Sequence, residues 1–217
     1  MLFPNAAYNE PNMKRPLKPL TPLIPYVAVA IGLYWFSSAW IAIVSYHLGM
    51  LLAVCMGRDS RRKRVGRTSA WWYLSTIIFA MGGVIFYFLW PCIFHETAAI
   101  AARLQSFGID SKLWPVFAIY FCCVNSLIEE LFWRGYLQQD RRGLVLNDCA
   151  FGGYHAMVIA AFAGPIWCVP VFVACVFAGW LWRMMRQTTG SVIVPVLTHL
   201  VADATIVAAV HLRVFAR

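Results

Sequence analysis

Six long apolar runs dominate this 217-residue chain and constrain its fold more than any other feature. They cover about residues 25–56, 70–94, 113–128, 144–163, 166–182 and 191–211. A helix of about 20 apolar residues can cross the hydrocarbon core of a bilayer, because it satisfies its own backbone hydrogen bonds. Hydrophobic residues make up 61% of the chain and charged residues only 12%. The sequence therefore predicts an all-α, polytopic transmembrane helix bundle of about six spans.

The chain divides into a short arm and one membrane domain. Residues 1–24 are rich in proline and lack an apolar core, so we predict a flexible N-terminal arm. Residues 25–217 are predicted to form a single integral membrane domain. The first run is longer than a bilayer requires, so we expect its helix to tilt, to kink near Gly32 or Gly49, or to project from the membrane.

The net charge of +9 predicts a membrane orientation rather than binding to nucleic acid. Six of the 18 basic residues lie in one short loop, residues 58–67. Such a loop is typical of the cytoplasmic side, where it contacts anionic lipid headgroups. With six spans, this orientation places both termini on the other side of the membrane. It also places the end of the third run near the cytoplasm.

Two of only nine acidic residues, Glu129 and Glu130, stand side by side at the end of the third run. A charge at membrane depth costs on the order of 3 kcal/mol, so it marks a candidate functional site. Glu130 and Arg134 are four residues apart and share a helix face, which predicts an ion pair. Glu129 is turned about 100° away from Glu130. We therefore predict that Glu130 is neutralised locally and that Glu129 faces a cavity between helices.

Two histidines in apolar runs accompany this acidic pair. On the fourth run, Phe151 and His155 share a face, and the two glycines between them favour close helix packing. On the sixth, His199 and Asp203 share a face, so that Asp203 can accept a hydrogen bond from the imidazole. Pro195 is expected to kink this helix toward the site. A single buried histidine usually only packs, but two of them with a carboxylate pair favour a catalytic site.

The three motifs together resemble a known family. E-E-x-x-x-R at 129–134, F-x-x-x-H at 151–155 and H-x-x-x-(N/D) at 199–203 occur in the order found in the CPBP family. This family, also called ABI, comprises CAAX proteases and bacteriocin-processing enzymes and includes the type II CAAX prenyl endopeptidases, which are glutamic intramembrane proteases. The resemblance covers about residues 113–209, and each motif alone is weak.

The resemblance implies a role for each motif residue. Glu129 would be the general base that activates a water, and His155 would help to hold that water. His199 and Asp203 would stabilise the tetrahedral oxyanion. Many relatives have Asn at the position of Asp203, so this residue either donates as a protonated acid or orients His199. The supporting residues would be Glu130, Arg134 and Phe151, and no metal or cofactor is implied.

Three other functions fit some of the same residues. A catalytically inactive protein of this fold could act as an immunity or scaffold factor, and turnover of a peptide would exclude that. A metal-dependent protease or metal transporter could use the histidines and carboxylates, but H-E-x-x-H is absent. A proton-coupled carrier could use a buried Glu–His relay, but six spans are few for a carrier and no inverted repeat is visible.

The resemblance also implies the substrate class and the compartment. The expected substrate is a membrane-associated or lipidated peptide or protein, whose identity the sequence does not specify. The short chain is more similar to prokaryotic members, so we expect an integral protein of the cytoplasmic membrane with its site nearer the cytoplasmic side.

Overall fold

All the regular structure of residues 18–57 and 70–216, the part of the chain that this computed structural model describes, is helical. The predicted all-α bundle is therefore confirmed for these residues. Most of the predicted arm, residues 1–17, and the basic loop 58–67 lie outside them. The flexible arm, the domain boundary and the cytoplasmic position of the basic loop accordingly stay predictions.

The helical segments follow one another along the chain. The α-helices are α1 (Ile24–Val29), α2 (Ala39–Met56), α3 (Ala70–Ile93), α4 (Thr97–Ser106), α5 (Trp114–Tyr120), α6 (Ser126–Glu130), α7 (Leu146–Ile159), α8 (Cys168–Thr189) and α9 (Ile193–Val210). A 3-10 helix, Lys18–Leu23, precedes α1, and π-helical segments follow α1, α5, α6 and α9. Helices α5 and α6 and their π-helical segments form one continuous helix, Trp114–Tyr136.

Among the described residues, five helices are long and apolar enough to cross a membrane. They are Ala39–Met56, Trp72–Ile93, Trp114–Tyr136, Pro165–Thr189 and Ile193–Phe215. The fourth predicted run forms α7, whose 14 residues are roughly 21 Å long and fall short of a hydrocarbon core of about 30 Å. The chain is an integral membrane protein in which α7 is a short helix within the bundle.

The first apolar run forms two helices rather than one. The chain reverses at Ser37, whose φ of +50° is uncommon for a residue other than glycine. The segment after α1 then packs back on α2, with Gly32 so close to the Ala42 backbone that no Cβ would fit there. The prediction of one tilted or kinked helix over residues 25–56 is therefore wrong. The excess length is taken up by a helical hairpin.

This hairpin also changes the expected orientation of the start of the chain. The Nζ atom of Lys18 lies 4.9 Å from the centroid of the Tyr136 ring, and Gly57 packs against the same ring. Lys18 and the residues that lead into the 58–67 loop thus lie at one end of the bundle. The prediction that one helix separates the start of the chain from this loop is wrong for the described residues, because the run folds back on itself at Ser37.

A buried ion pair joins the start of α7 to α8. Arg183 donates from Nη2 to Asp148 Oδ2 (2.7 Å) and from Nε to Oδ1 (3.1 Å). Arg183 also donates to the carbonyls of Arg141 and Gly143, and Asp148 accepts from the Val145 N–H at 3.1 Å. These bonds fix the loop that leads into α7.

The two glycines of that motif allow neighbouring elements to approach, as predicted. A Cβ on Gly152 would meet Val176 of α8, and one on Gly153 would meet the hydroxyl of Tyr26 from α1. Small residues at such contacts let helices pack closely within a membrane. Helix α7 is thereby held between α8 on one side and the N-terminal hairpin on the other.

Candidate active site

Glu129 and Glu130 lie on α6, between two π-helical segments. Phe121–Asn125 precedes this short α-helix and Leu131–Tyr136 follows it. π-Helical turns are uncommon, and they are frequent at functional sites. The side chains of both glutamates are buried, with 1% and 0% of their surface exposed. Two adjacent carboxylates at this depth require polar partners.

Glu130 pairs with Arg134, as the spacing predicts. Arg134 Nη1 donates to Glu130 Oε1 at 2.8 Å, and both side chains are buried. The same oxygen lies 3.0 Å from His199 Nδ1 on α9, so the imidazole N–H donates to it. The sequence did not predict this second bond. Glu130 therefore connects the arginine of its own helix to the histidine of another motif.

Glu129 points in a different direction, into a cavity. Tyr154 of α7 donates its hydroxyl proton to Glu129 Oε1. The other oxygen, Oε2, is buried, and none of the described residues hydrogen-bonds to it. It lies 3.8 Å from His199 Nε2. Glu129 thus has one oxygen held by a phenol and one that is open to a small molecule such as water.

The cavity beside Glu129 has a volume of about 230 Å³. Its polar lining comes from Tyr46, Asn125, Glu129, Tyr154 and His155. The rest of its wall is apolar and extends toward Leu104 and Phe162 at the opposite end of the bundle from Tyr136. A cavity of this kind holds a small polar group at one end and aliphatic or aromatic groups along its length.

His155 reaches the cavity from α7. Its Nδ1 lies 2.7 Å from the carbonyl oxygen of Phe151, so Nδ1 carries the proton and Nε2 is left with its lone pair. The ring packs against Phe151 and Tyr154, with centroids 4.4 Å and 4.2 Å away. The shared face predicted for Phe151 and His155 is present, and it fixes the tautomer of the histidine.

His199 lies at the junction of the three motifs. Its Nδ1 is engaged by Glu130, while Nε2 lies 3.5 Å from Asp203 Oδ1 and 3.8 Å from Glu129 Oε2. Trp182 of α8 stacks on the ring, with centroids 4.2 Å apart and planes 22° apart. The imidazole is thus fixed on one edge and on one face, and its Nε2 edge faces the carboxylates.

Asp203 is held by a residue outside the three motifs. Its Oδ2 accepts a hydrogen bond from Asn125 Nδ2 at 3.1 Å, and its Oδ1 faces His199. The side chain is 8% exposed, so it is buried like its neighbours. The predicted shared face of His199 and Asp203 is present.

Aromatic rings enclose the guanidinium of Arg134. Its Cζ lies 4.4 Å from the ring centroid of Phe151 and 5.1 Å from that of Trp182. Aromatic faces attract a cation, and the attraction is stronger away from water. Phe151 therefore contacts both the arginine of the first motif and the histidine of its own motif.

The structure brings all seven predicted site residues together and adds three that the sequence analysis missed. The additions are Asn125, Tyr154 and Trp182, which touch Asp203, Glu129 and His199 respectively. Asn125 had a signal in the sequence, because it is a polar residue in an apolar run, one turn before Glu129. Tyr154 and Trp182 had none, because their contacts depend on how α7 and α8 pack.

Pro195 does not kink α9. It lies in the first turn of that helix, where a missing N–H is tolerated. The carbonyl of Ser191, four residues earlier, accepts a hydrogen bond from the Thr189 hydroxyl at 3.1 Å. The predicted kink is wrong because the helix begins later than the apolar run does.

We searched the described residues for side chains that could bind a metal ion together. No group of three or more His, Cys, Asp or Glu side chains there is placed to hold a metal ion. His199 instead lies against the three carboxylates of the site, and Glu130 also pairs with Arg134.

The residues of this site lie in a part of the chain that matches a known protein family. Residues 111–205 match the family model described as type II CAAX prenyl endopeptidase Rce1-like. The match includes the glutamate pair, both histidine motifs and all three additional residues. No curated protein and no solved structure matched the chain.

Proposed function

Because residues 111–205 belong to the CPBP family of CAAX-type proteases, we propose that this membrane protein is a glutamic endopeptidase. It hydrolyses a peptide bond of a membrane-associated or lipidated protein or peptide. The observation that carries the proposal is Glu129 Oε2, a buried carboxylate oxygen without a hydrogen bond among the described residues, on the wall of a cavity.

Glu129 is the general base. A water on Oε2 gives up a proton to the carboxylate as its oxygen attacks the scissile carbonyl carbon. The hydrogen bond from Tyr154 to Oε1 leaves Oε2 as the oxygen that takes this proton. The lone pair of His155 Nε2 accepts the water's second O–H and holds the water in line. Glu129 then passes the proton to the leaving amine.

His199 and Asp203 stabilise the oxyanion that this attack creates. Donors aimed at the developing charge in a dry site lower the barrier more than they would in water. Since Nδ1–H of His199 donates to Glu130, a proton on Nε2 makes that edge a donor to the oxyanion. Glu130 and Trp182 hold the ring in place, and Arg134 balances the charge of Glu130.

The substrate enters from the membrane, and the site works near the cytoplasmic face. The long apolar wall of the cavity suits a lipid chain or apolar side chains close to the cleaved bond. Glu129 lies less than two helical turns from Tyr136, at the bundle end that includes Lys18 and leads into the basic loop 58–67. Basic loops favour the cytoplasmic side.

The test is turnover by purified protein in detergent or proteoliposomes. The probes are a quenched-fluorescence farnesylated CAAX peptide and the same peptide without the lipid. Newly formed termini in host membranes, mapped by mass spectrometry, extend the search to other substrates. Wild type cleaves, whereas Glu129→Gln does not; Glu96→Gln, at an exposed position, is the matched control.

Two results would reject the proposal. Absence of any cleavage or new terminus that depends on Glu129 would favour the inactive scaffold or immunity protein. Loss of cleavage in a strong chelator, restored by zinc, would favour a metal-dependent protease instead.

A further inference from the structure

A buried polar network leads from α2 to the active site, although α2 lies outside the family match. Tyr46 and His47 on α2 have only 6% and 2% of their surface exposed. Both side chains meet the amide oxygen of Asn125, and the amide nitrogen of Asn125 meets Asp203. Polar groups at this depth are expensive to bury, so a network that satisfies them is a candidate for function.

The hydrogen bonds of Asn125 fix the orientation of its side-chain amide. Its Oδ1 accepts from the Tyr46 hydroxyl and lies 3.2 Å from His47 Nε2. His47 Nδ1 lies 2.9 Å from the Tyr120 hydroxyl, which can supply the proton of that bond. An amide oxygen accepts two hydrogen bonds and an amide nitrogen donates two. With Oδ1 occupied by the two donors of α2, Nδ2 is left to donate to Asp203 Oδ2 at 3.1 Å.

We propose that Asn125, oriented by Tyr46 and His47, is a positioning residue that fixes which oxygen of Asp203 faces the reaction. In this arrangement Asp203 Oδ2 accepts the hydrogen bond from Asn125. Oδ1 is the oxygen left to act as a donor, and it is turned toward His199 Nε2, 3.5 Å away. The inference rests on the proposed function, because it assigns Oδ1–H as the second donor to the oxyanion.

The N-terminal hairpin is therefore part of the catalytic apparatus. Two residues of α2 act on Asp203 of α9 through an amide of the helix that carries Glu129. Tyr46 also lines the cavity beside Glu129, so the hairpin both closes the cavity and sets the direction of the hydrogen bonds.

The test reverses that direction by exchanging the two side chains. Asn125→Asp alone puts two acids against each other. Asp203→Asn alone keeps the direction, because the new amide oxygen accepts from Asn125 and the new NH₂ faces His199. The double variant, Asn125→Asp with Asp203→Asn, rebuilds the bond in reverse and turns a carbonyl oxygen toward the reaction. Thermal unfolding in detergent and cleavage of the farnesylated CAAX peptide are measured for each form.

We expect Asp203→Asn to keep its rate within about tenfold of wild type, which corresponds to a barrier change of about 1.4 kcal/mol. Asn125→Asp should lose both stability and activity. The double variant should regain the wild-type unfolding temperature yet lose at least 100-fold in kcat with little change in KM. A purely structural role for Asn125 would restore both together.

Several results would overturn the proposal. Activity in the double variant would show that the direction of the Asn125–Asp203 bond is immaterial, and an inactive Asp203→Asn would show that Oδ1 is not a donor. A double variant as unstable as Asn125→Asp would show that the two side chains do not form this bond. The unfolding data test the Asn125–Asp203 bond even if wild type cleaves no probe. Failure of the proposed function can therefore be distinguished from failure of this inference. Tyr46→Phe is a milder check, with a loss in kcat expected to exceed that of Tyr120→Phe.

Discussion

Among the residues that the structure describes, two carboxylate–guanidinium pairs are buried, and they are built differently. Asp148 uses both of its oxygens on Arg183, which also donates to two backbone carbonyls. Glu130 receives both Arg134 and His199 on Oε1, and none of the described residues hydrogen-bonds to its Oε2. Each side-chain oxygen and nitrogen of the first pair is hydrogen-bonded, whereas one oxygen of the second pair is not.

The difference separates a structural role from a functional one. The Asp148–Arg183 pair holds α7 against α8, and each of its side-chain oxygens and nitrogens has a hydrogen bond. The Glu130–Arg134 pair instead holds an imidazole whose other nitrogen faces Glu129 and Asp203. Breaking the first pair should affect folding alone, whereas breaking the second should affect folding and catalysis together.

The largest expected loss of stability follows from Arg183→Ala. It leaves Asp148 buried without its partner, which costs about 3–5 kcal/mol. Detergent thermal unfolding and the yield of folded protein measure this loss. Protein that does fold, assayed at low temperature, should cleave at nearly the wild-type rate. A folded but inactive Arg183→Ala would erase the distinction between the two pairs.

Glu130→Gln should have a smaller effect on stability and a clear one on rate. The amide keeps an acceptor for Arg134 and His199 but loses the charge, and a hydrogen bond to a charged group contributes about 1.5–3 kcal/mol. If that energy serves to hold His199, kcat should fall roughly 10- to 100-fold. Unfolding and single-turnover cleavage are to be measured on the same preparation. If Glu130→Gln lost stability but kept its full rate, the Glu130–Arg134 pair would have only a structural role, like the Asp148–Arg183 pair.

Trp182→Phe should sharpen the comparison further. The smaller ring keeps part of the stack on His199 and part of the contact with Arg134, and such aromatic contacts contribute about 0.5–1.5 kcal/mol. For a chain of this length that corresponds to a fall in Tm of a few degrees. The rate should fall by less than tenfold. Trp35→Phe, at a position with 81% exposure, is the control and should change neither quantity.

The smallest effect is expected for Tyr26→Phe. Tyr26 of α1 donates to the Ala150 carbonyl at 2.8 Å and packs edge-on against Tyr154, the residue that holds Glu129. Losing one partly buried hydrogen bond costs about 0.5–1.5 kcal/mol. The rate should stay within a factor of three of wild type. A larger loss of rate would mean that the hairpin orients Tyr154 as well as Asp203.

Contacts within a helix could be predicted from the sequence, because four-residue spacing fixes which side chains meet. The Glu130–Arg134 pair, the separate direction of Glu129 and the shared face of His199 and Asp203 all follow from that local geometry. The hairpin could not be predicted in the same way. Its reversal at Ser37 carries no glycine or proline, and apolar residues continue on both sides of it.

Contacts between helices depend on packing, which the sequence did not specify. Tyr154 reaches Glu129 because Gly152 and Gly153 set how closely α7 approaches its neighbours. Trp182 covers His199 because α8 packs along α7 and also contacts α9. The second bond of Glu130 was missed for the same reason, since His199 lies 69 residues away along the chain.

The central claim is that Glu129 is the base that activates water. The most direct measurement is single-turnover cleavage by Glu129→Gln, with the farnesylated CAAX peptide and any substrate found by mapping new termini. Glutamine keeps the shape of the side chain and an acceptor for Tyr154, but it cannot take a proton from water. The account predicts no detectable cleavage, with detergent thermal unfolding within a few degrees of wild type. Cleavage at the wild-type rate by this variant would contradict it.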